Sequence, residues 1–498
     1  MKTQIINLSQ LPLNKSGKIK NINCDEGIKR RLLDMGLVSG TNIIPVLVSP
    51  SSDPRAFLVR GSIIAIRKED AENIIVKVWN SMYFKFKWLR DDKNTFESFK
   101  FQKYFYIIFD FENYLDNLDY LFTYLSEYYG KKLYKKESIF IFDEIQLCPR
   151  ARGAIKHLVA DGRYDYIETG SLISIKKNVK DILIPSEEEK IRMYPFDFEE
   201  FLWAMDNNTI MDFIRECYKR RKALGQALHR KAMDYFKEYM IVGGMPQAVE
   251  MYANTRDFEK VDKIKRNILN LYREDIRKYA EDLNLKVEQI FDTIPSQLQK
   301  HEKKFNISSL DENARYRNYE GAFYWLNDAC LVNIAYNTTE PNIGLGQRID
   351  SNALKCYMAD TGLLLSMTFN EKSIVNEQIY KKILFDKLSF NEGMLMENIV
   401  AQMLVSSGRK LYFFSRNDRN NAADTMEIDF LISKDLITSK HNIIPIEVKS
   451  GDRYTFTSLN KLNNKYKEYL AQGIILHTKD LKEEEGVLYL PLYMTPLL

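Results

Sequence analysis

The hydrophobic and polar positions of this chain fall into successive blocks with different periods. Over residues 1 to about 80, short apolar runs are broken by polar turns. Lys18-Ile19-Lys20-Asn21-Ile22 alternates after Gly17. Strand-length runs follow at Asn42–Val48, Ala56–Val59, Ile63–Ile66 and Ile74–Val78, separated by Pro50-Ser51-Ser52-Asp53-Pro54 and by Arg60-Gly61. One helix is predicted from Ile28 to Met35, with Arg30, Arg31 and Asp34 on its surface and Gly36 as its C-cap. Several short strands and one helix in so short a block suit a small closed barrel, because closure removes exposed edges.

From residue 95 onward the pattern changes. Lys103–Phe111, Ser138–Phe142 and Tyr164–Glu168 are apolar runs of strand length, with a helical stretch, Leu115 to Tyr129, between the first two. Buried strands alternating with helices predict a parallel sheet with crossovers, whose strand ends face a ligand crevice. Residues 210–340 read as mostly helical. Near the C-terminus, Glu392 to Leu404 is a predicted helix with Glu397 at its middle. Lys410–Ser415, Glu427–Ile432 and Ile443–Ser450 read as strands.

Length and composition narrow the classes. Domains usually run about 50–250 residues, so 498 residues predict about three. Hydrophobic content of 45% and charged content of 28% exclude a disordered or fibrous chain. A formal charge of +4 implies no global polyanion surface, though a local basic patch stays open. With 30 Tyr and 28 Phe against 13 Pro, the composition favours long regular elements over loops. No stretch approaches the roughly 20 apolar residues of a membrane helix, and no signal peptide is apparent. Cys24, Cys148, Cys217, Cys330 and Cys356 show no C-x-x-C spacing, which argues against a disulfide framework or structural zinc. The expectation is a cytoplasmic, reducing location, and an oligomer is compatible with it.

Within the first block, Arg30-Arg31-Leu32-Leu33-Asp34-Met35-Gly36-Leu37 with Gly40, then Asp53-Pro54, Arg60-Gly61 and Ile64-Ala65-Ile66-Arg67 with Ala71, resembles an FeoA-type domain. The resemblance implies an SH3-like barrel over residues 1–80. It also implies an accessory role in ferrous iron transport, with a transporter as partner. Cys24, Asp25 and Glu26 are adjacent but read as a solvated turn, since sequence neighbours rarely converge on one ion.

In the middle block, Ile139-Phe140-Ile141-Phe142-Asp143-Glu144 is a Walker B pattern. There Asp143 would hold Mg²⁺ and Glu144 would orient the attacking water. Thr169 and Ser171 stand where a sensor hydroxyl would reach a γ-phosphate. Together with Gln146-Leu147-Cys148-Pro149-Arg150-Ala151, Tyr194–Phe201, Gly243-Gly244-Met245-Pro246 and Tyr357–Leu364, this resembles a prokaryotic family of AAA-type ATPases with a restriction-endonuclease-like C-terminal domain. The resemblance implies a P-loop-type domain over residues 81–205 binding ATP and Mg²⁺, with a helical lid carrying a winged-helix-like segment over residues 206–370. A winged helix can bind DNA, but intramolecular packing is the favoured reading of this segment. One part is missing. No Gly in the chain is followed by Lys-Ser or Lys-Thr, so the Walker A loop that cradles the β-phosphate is lacking. Met82–Trp88 alternates apolar and basic residues and could supply a substitute strand. The barrel stands where the ATPase would begin, as after a gene fusion, in a degenerate copy or through an assembly artefact.

The last block, residues 385–498, carries an acid on a helix (Glu397), then Glu427-Ile428-Asp429, then Glu447-Val448-Lys449. That order resembles the PD-(D/E)xK nuclease superfamily, an α/β restriction-endonuclease-like fold. Asp429 and Glu447 would share Mg²⁺ or Mn²⁺, Lys449 would orient water and steady the phosphorane charge, and Glu397 would complete the metal site or position Lys449. Three function classes follow: a nucleotide-impaired AAA-type scaffold, a metal-dependent nuclease acting on DNA, and a non-enzymatic adapter in ferrous iron transport.

Overall fold

The computed structural model describes residues 3–11, 17–24, 28–29, 32, 37–38, 41–48, 53–59, 62–79, 103–107, 117–129, 132–142, 145, 149–170, 188–300, 304–342, 344–369, 377–384, 392–417, 425–434, 440–451 and 456–498. The chain forms two compact units, Met1–Phe96 and Glu97–Leu498. The helix expected at 28–35 lies only partly within the described residues, and the strand expected at 82–88 lies outside them.

In the first unit, strands β1 (Thr3–Asn7), β2 (Gly17–Ile22), β3 (Asn42–Val48), β4 (Arg55–Val59), β5 (Ser62–Ile66) and β6 (Ile74–Trp79) form one antiparallel sheet in the order β1-β6-β2-β3-β4-β5. A short helix, α1 (Lys68–Glu72), joins β5 to β6. Alternation in β2 buries Ile19 and Ile22 and exposes Lys18 and Lys20. The extra residue between Ile19 and Ile22 is taken up by a register shift against β6. The expected closure differs in detail. Among the described residues no ladder joins β5 to β1. The turn Leu8–Gln10 packs against α1 and β6. Leu8 and Leu11 are fully buried, and the Arg55 guanidinium donates to Ser9 O (2.6 Å) and Leu11 O (2.7 Å).

The second unit begins with a parallel sheet of β7 (Lys103–Ile107), β8 (Ser138–Phe142) and β9 (Asp165–Glu168). Helices α2 (Leu118–Tyr129) and α3 (Pro149–Asp161) make the crossovers. Their small core packs the Tyr164 ring edge to face against Phe122 and Phe140. Seven helices follow: α4 (Phe198–Ala204), α5 (Ile210–Arg220), α6 (Gln226–Val242), α7 (Pro246–Thr255), α8 (Phe258–Tyr279), α9 (Asn284–Leu298) and α10 (Tyr316–Asp328). Strands β10 (Val332–Thr338) and β11 (Ile349–Met358) come next, then α11 (Thr361–Thr368), α12 (Glu377–Leu384) and α13 (Glu392–Ser406). The chain ends in β12 (Tyr412–Arg416), β13 (Met426–Ser433), β14 (Ile443–Val448), α14 (Thr457–Tyr466), β15 (Ile474–His477), β16 (Lys482–Glu484) and β17 (Val487–Pro491).

The C-terminal sheet is larger than the boundary at 385 implied. It has eight strands in the order β11-β10-β12-β13-β14-β15-β17-β16, so β10 and β11 are built into it. β10 pairs with β12 in parallel, Tyr336 opposite Tyr412, and this single ladder ties the end of the helical region to the sheet. A continuous hydrophobic core consequently runs from Phe198 through the helices to Met494. No described helix is long and apolar enough to cross a membrane.

Candidate functional site

The face of the C-terminal sheet toward α13 gathers most of the charged side chains that the sequence singles out. In β13, burial alternates from Met426 to Phe430, so Glu427 and Asp429 share a face while Ile428 packs on the other side. β13 and β14 are antiparallel with Phe430 opposite Ile446. The ladder ends at that pair, and next beyond it lie Asp429 on β13 and Glu447 on β14. The Val448 N–H donates to Asp429 Oδ2 at 2.9 Å, which fixes that carboxylate between Glu447 and Lys449.

Helix α13 is buried from Met394 to Leu404 and apolar nearly all round, so each polar residue on it must find a partner inside the protein. Asn398 Oδ1 accepts from Met358 N–H (2.8 Å), and its Nδ2 donates to Met358 O (3.2 Å). Gln402 Oε1 accepts from Thr361 N–H (2.8 Å) and Thr361 Oγ1 (2.9 Å). Glu397 accepts from Tyr357 OH and from Lys355 Nζ, the latter at 3.2 Å. The helix therefore clamps the end of β11 through three side chains.

Lys355 is the residue that sequence reasoning missed. It is fully buried, and its Nζ also lies 2.9 Å from Glu427 Oε1 and 3.7 Å from Asp429 Oδ1, over the Phe413 ring at 5.1 Å from the centroid. Burial works to lower its pKa, but the carboxylates of Glu397, Asp429 and Glu427 together outweigh it and raise the pKa above the usual lysine value. A usable signal was present: Lys355 is the lone charge in the apolar run Leu354–Met358. Glu397 thus pairs with Lys355 and Tyr357, not with Lys449 as one expectation had it.

Glu447 is 2% exposed, and Lys449 Nζ sits 2.5 Å from its Oε2. Both Lys449 and the Leu459 backbone N–H favour the ionised form of this carboxylate. Burial raises the Glu447 pKa, the Asp429 carboxylate adds to the rise, and Lys449 opposes it. Four carboxyl groups (Glu397, Glu427, Asp429, Glu447) and two ammoniums (Lys355, Lys449) gather here. With Lys355 in place, no group of three or more His, Cys, Asp or Glu side chains among the described residues is arranged to hold a metal ion. The Asp429–Glu447 pair nevertheless fits a hard divalent cation. Mg²⁺ is usually held by one or two carboxylates with water completing its shell, and Glu447 is a buried carboxyl group next to Asp429.

The nucleotide site expected from the sequence is only partly within the described residues. Asp143, Glu144 and Ser171 lie outside them. Thr169 lies within, its N–H donating to Phe142 O (2.9 Å) and its carbonyl accepting from Ile145 N–H (3.0 Å), which ties the ends of β8 and β9 together. Nearby, the buried Arg152 pairs with Glu168 at 2.5 Å and with Glu188.

Three other motif segments have a structural explanation. Gly244 N–H donates to Asp360 Oδ2 (2.6 Å), Leu363 N–H to Asp360 Oδ1 (2.8 Å) and Phe196 N–H to Gly244 O (2.8 Å). Gly243 has φ +83°, and a Cβ on Gly244 would meet Phe196 O at 2.2 Å. Tyr194–Phe201, Gly243–Pro246 and Tyr357–Leu364 are therefore parts of one latch that packs α4, α6 and α11 together.

Comparison with known proteins divides the chain along similar lines. Residues 6–78 match the FeoA domain family, residues 90–202 an AAA domain family, residues 233–373 a domain of unknown function (DUF8612) and residues 392–494 another (DUF4143). No curated protein matches the chain. Among solved structures, an FeoA-like protein from Clostridium acetobutylicum is 30% identical, covering 17% of this chain and 96% of its own, with a TM-score of 0.16. Stenotrophomonas maltophilia FeoA, solved with zinc, is 28% identical over 14% of this chain and 88% of its own, TM-score 0.14. A Vibrio cholerae protein is 12% identical over 72% of this chain and 88% of its own, TM-score 0.15.

Proposed function

We propose, for a chain that joins an FeoA domain at residues 6–78 to an AAA-family domain at residues 90–202, that nucleotide binding is crippled and that the working chemistry lies in the C-terminal acid–lysine crevice. In this reading Asp429 and Glu447 hold one Mg²⁺ or Mn²⁺ for hydrolysis of a phosphodiester, with DNA as substrate. The observation that carries it is the grouping of the 2%-exposed Glu447 with Lys449, 2.5 Å from its Oε2, and with Asp429, whose Oδ2 accepts from the Val448 N–H.

The roles follow from the contacts. Val448 N–H fixes Asp429 Oδ2 and so orients the carboxylate. Lys449 offsets negative charge that develops on the phosphoryl oxygens and orients water, while Glu397, turned toward Lys355 and Tyr357, acts as a positioning residue. The divalent ion, when bound, supplies Lewis-acid polarisation and a more acidic water. In a plasmid-nicking assay with Mn²⁺, Asp429→Ala is expected to lose on the order of a hundredfold in rate; equal nicking by both chains removes this site from the mechanism.

The crippled nucleotide site rests on the missing Walker A loop. Gly17-Lys18-Ile19 and Gly130-Lys131-Lys132 each lack the Ser or Thr that would reach Mg²⁺. Titration calorimetry is expected to register no Mg·ATP binding in the micromolar range, and a micromolar isotherm would overturn this part. A second reading, an adapter for ferrous iron transport, is favoured by the FeoA match at residues 6–78. It expects co-purification with a ferrous iron transporter that is lost when residues 1–80 are deleted; retention without them sinks it.

A further inference from the structure

We infer that Lys355 is the resident cation of the carboxylate cluster: its ammonium fills the place between Glu397, Glu427 and Asp429 that a second divalent ion would take. The chain is then left with one metal position, at Asp429 and Glu447; this last clause rests on the function proposed above, whereas the role of Lys355 does not.

Three observations carry the inference. The first is reach. In the sheet order β11-β10-β12-β13, two strands separate Lys355 from Glu427 and Asp429. Adjacent strands lie about 4.8 Å apart, so the side chain must extend across the face, and it does so over the ring of Phe413 on β12. The second is size. Nζ lies 2.9 to 3.7 Å from oxygens of all three carboxylates, which come from α13 and β13. Those are ammonium–carboxylate distances, well beyond the roughly 2.1 Å that Mg²⁺ requires. The third is charge. Three converging carboxylates repel unless a cation stands among them. The fully buried Lys355 and the carboxylates are each costly without the other. The cation is covalently part of the chain, so chelation cannot remove it.

The test counts Mn²⁺ bound to the full chain by electron paramagnetic resonance, with thermal unfolding followed alongside. Wild type is expected to bind one Mn²⁺. Glu447→Gln should bind none, and Glu427→Gln should still bind one, because Glu427 serves Lys355 and not the metal. Lys355→Met should gain one Mn²⁺ over wild type and unfold at higher temperature when Mn²⁺ is added. Loss of Mn²⁺ in Glu427→Gln as complete as in Glu447→Gln overturns the inference, as does a folded Lys355→Met chain that binds no more Mn²⁺ than wild type. A Lys355→Met chain that folds only with Mn²⁺ present supports it, and one that stays unfolded in Mn²⁺ counts against it. Wild type binding no Mn²⁺ while Lys355→Met binds one would remove the metal position at Asp429 and Glu447 and leave the inference standing.

Discussion

At Gly244 a methyl group would meet Phe196 O at 2.2 Å, and the same peptide donates to the fully buried Asp360. Neither partner is the free end of a flexible side chain, so the backbone itself must shift. Gly244→Ala is expected to destabilise the second unit by roughly 3 kcal/mol or more, measured as a lower urea midpoint with unchanged slope. His477 makes a second residue-scale prediction. It is 1% exposed, and burial, reinforced by Lys482 and Lys479, pushes its pKa from 6.5 down to about 4. The unfolded chain then binds the extra proton between those values, so this contribution is fully present above pH 6.5 and is lost as pH falls toward 4. Between pH 7 and pH 5 the unfolding free energy should fall by about 2 kcal/mol from this group, and the slope should flatten in His477→Gln.

At the scale of elements, α13 shows how a helix apolar on every side carries polar residues without loss. Asn398 supplies both a donor and an acceptor to the Met358 backbone, where β11 gives way to α11. Asn398→Ala would strand a buried N–H and a buried C=O, at a cost of about 2–4 kcal/mol. Since β11 also carries Lys355, the Mn²⁺-dependent activity of that variant should fall together with its stability, as parallel nicking and urea titrations would report. The N-cap of α4 is milder. Asp197 and Glu200 form a reciprocal capping box, with Glu200 N–H donating to Asp197 Oδ1 at 2.9 Å and Asp197 N–H to Glu200 Oε2 at 2.9 Å. Asp197→Ala is expected to cost about 1 kcal/mol.

For the whole molecule, no hydrophobic cluster among the described residues draws on both units: Leu8 to Val76 forms one core, and the others lie wholly between Leu121 and Met494. Units with their own cores unfold as separate cooperative blocks. Scanning calorimetry of the full chain is expected to resolve at least two transitions, and Gly244→Ala should lower one while leaving the barrel's in place. A single transition shifted as a whole would refute that independence. The same bookkeeping explains why the boundary expected near residue 385 does not separate two cores: β10 and β11 lie before it in sequence yet within the C-terminal sheet.

Local pattern determined a good deal. Strands β2 to β6 of the barrel, the parallel β7–β9 run and the acid-bearing β13 and β14 were legible from period and turn residues, whereas β1 was not, because such elements are set by which neighbours two or three positions away are apolar. The spacing of Glu447 and Lys449 likewise required that they share a face. The absence of a Gly-Lys-Ser/Thr loop is also a property of the sequence alone. The tertiary structure decided what those charges meet. Lys355 lies 42 positions before Glu397 and three strands away from Asp429, so no local period relates them. Convergence of that kind depends on which strands pair and which side chains lose water, and burial then gives an unremarked lysine its place at the centre of the cluster.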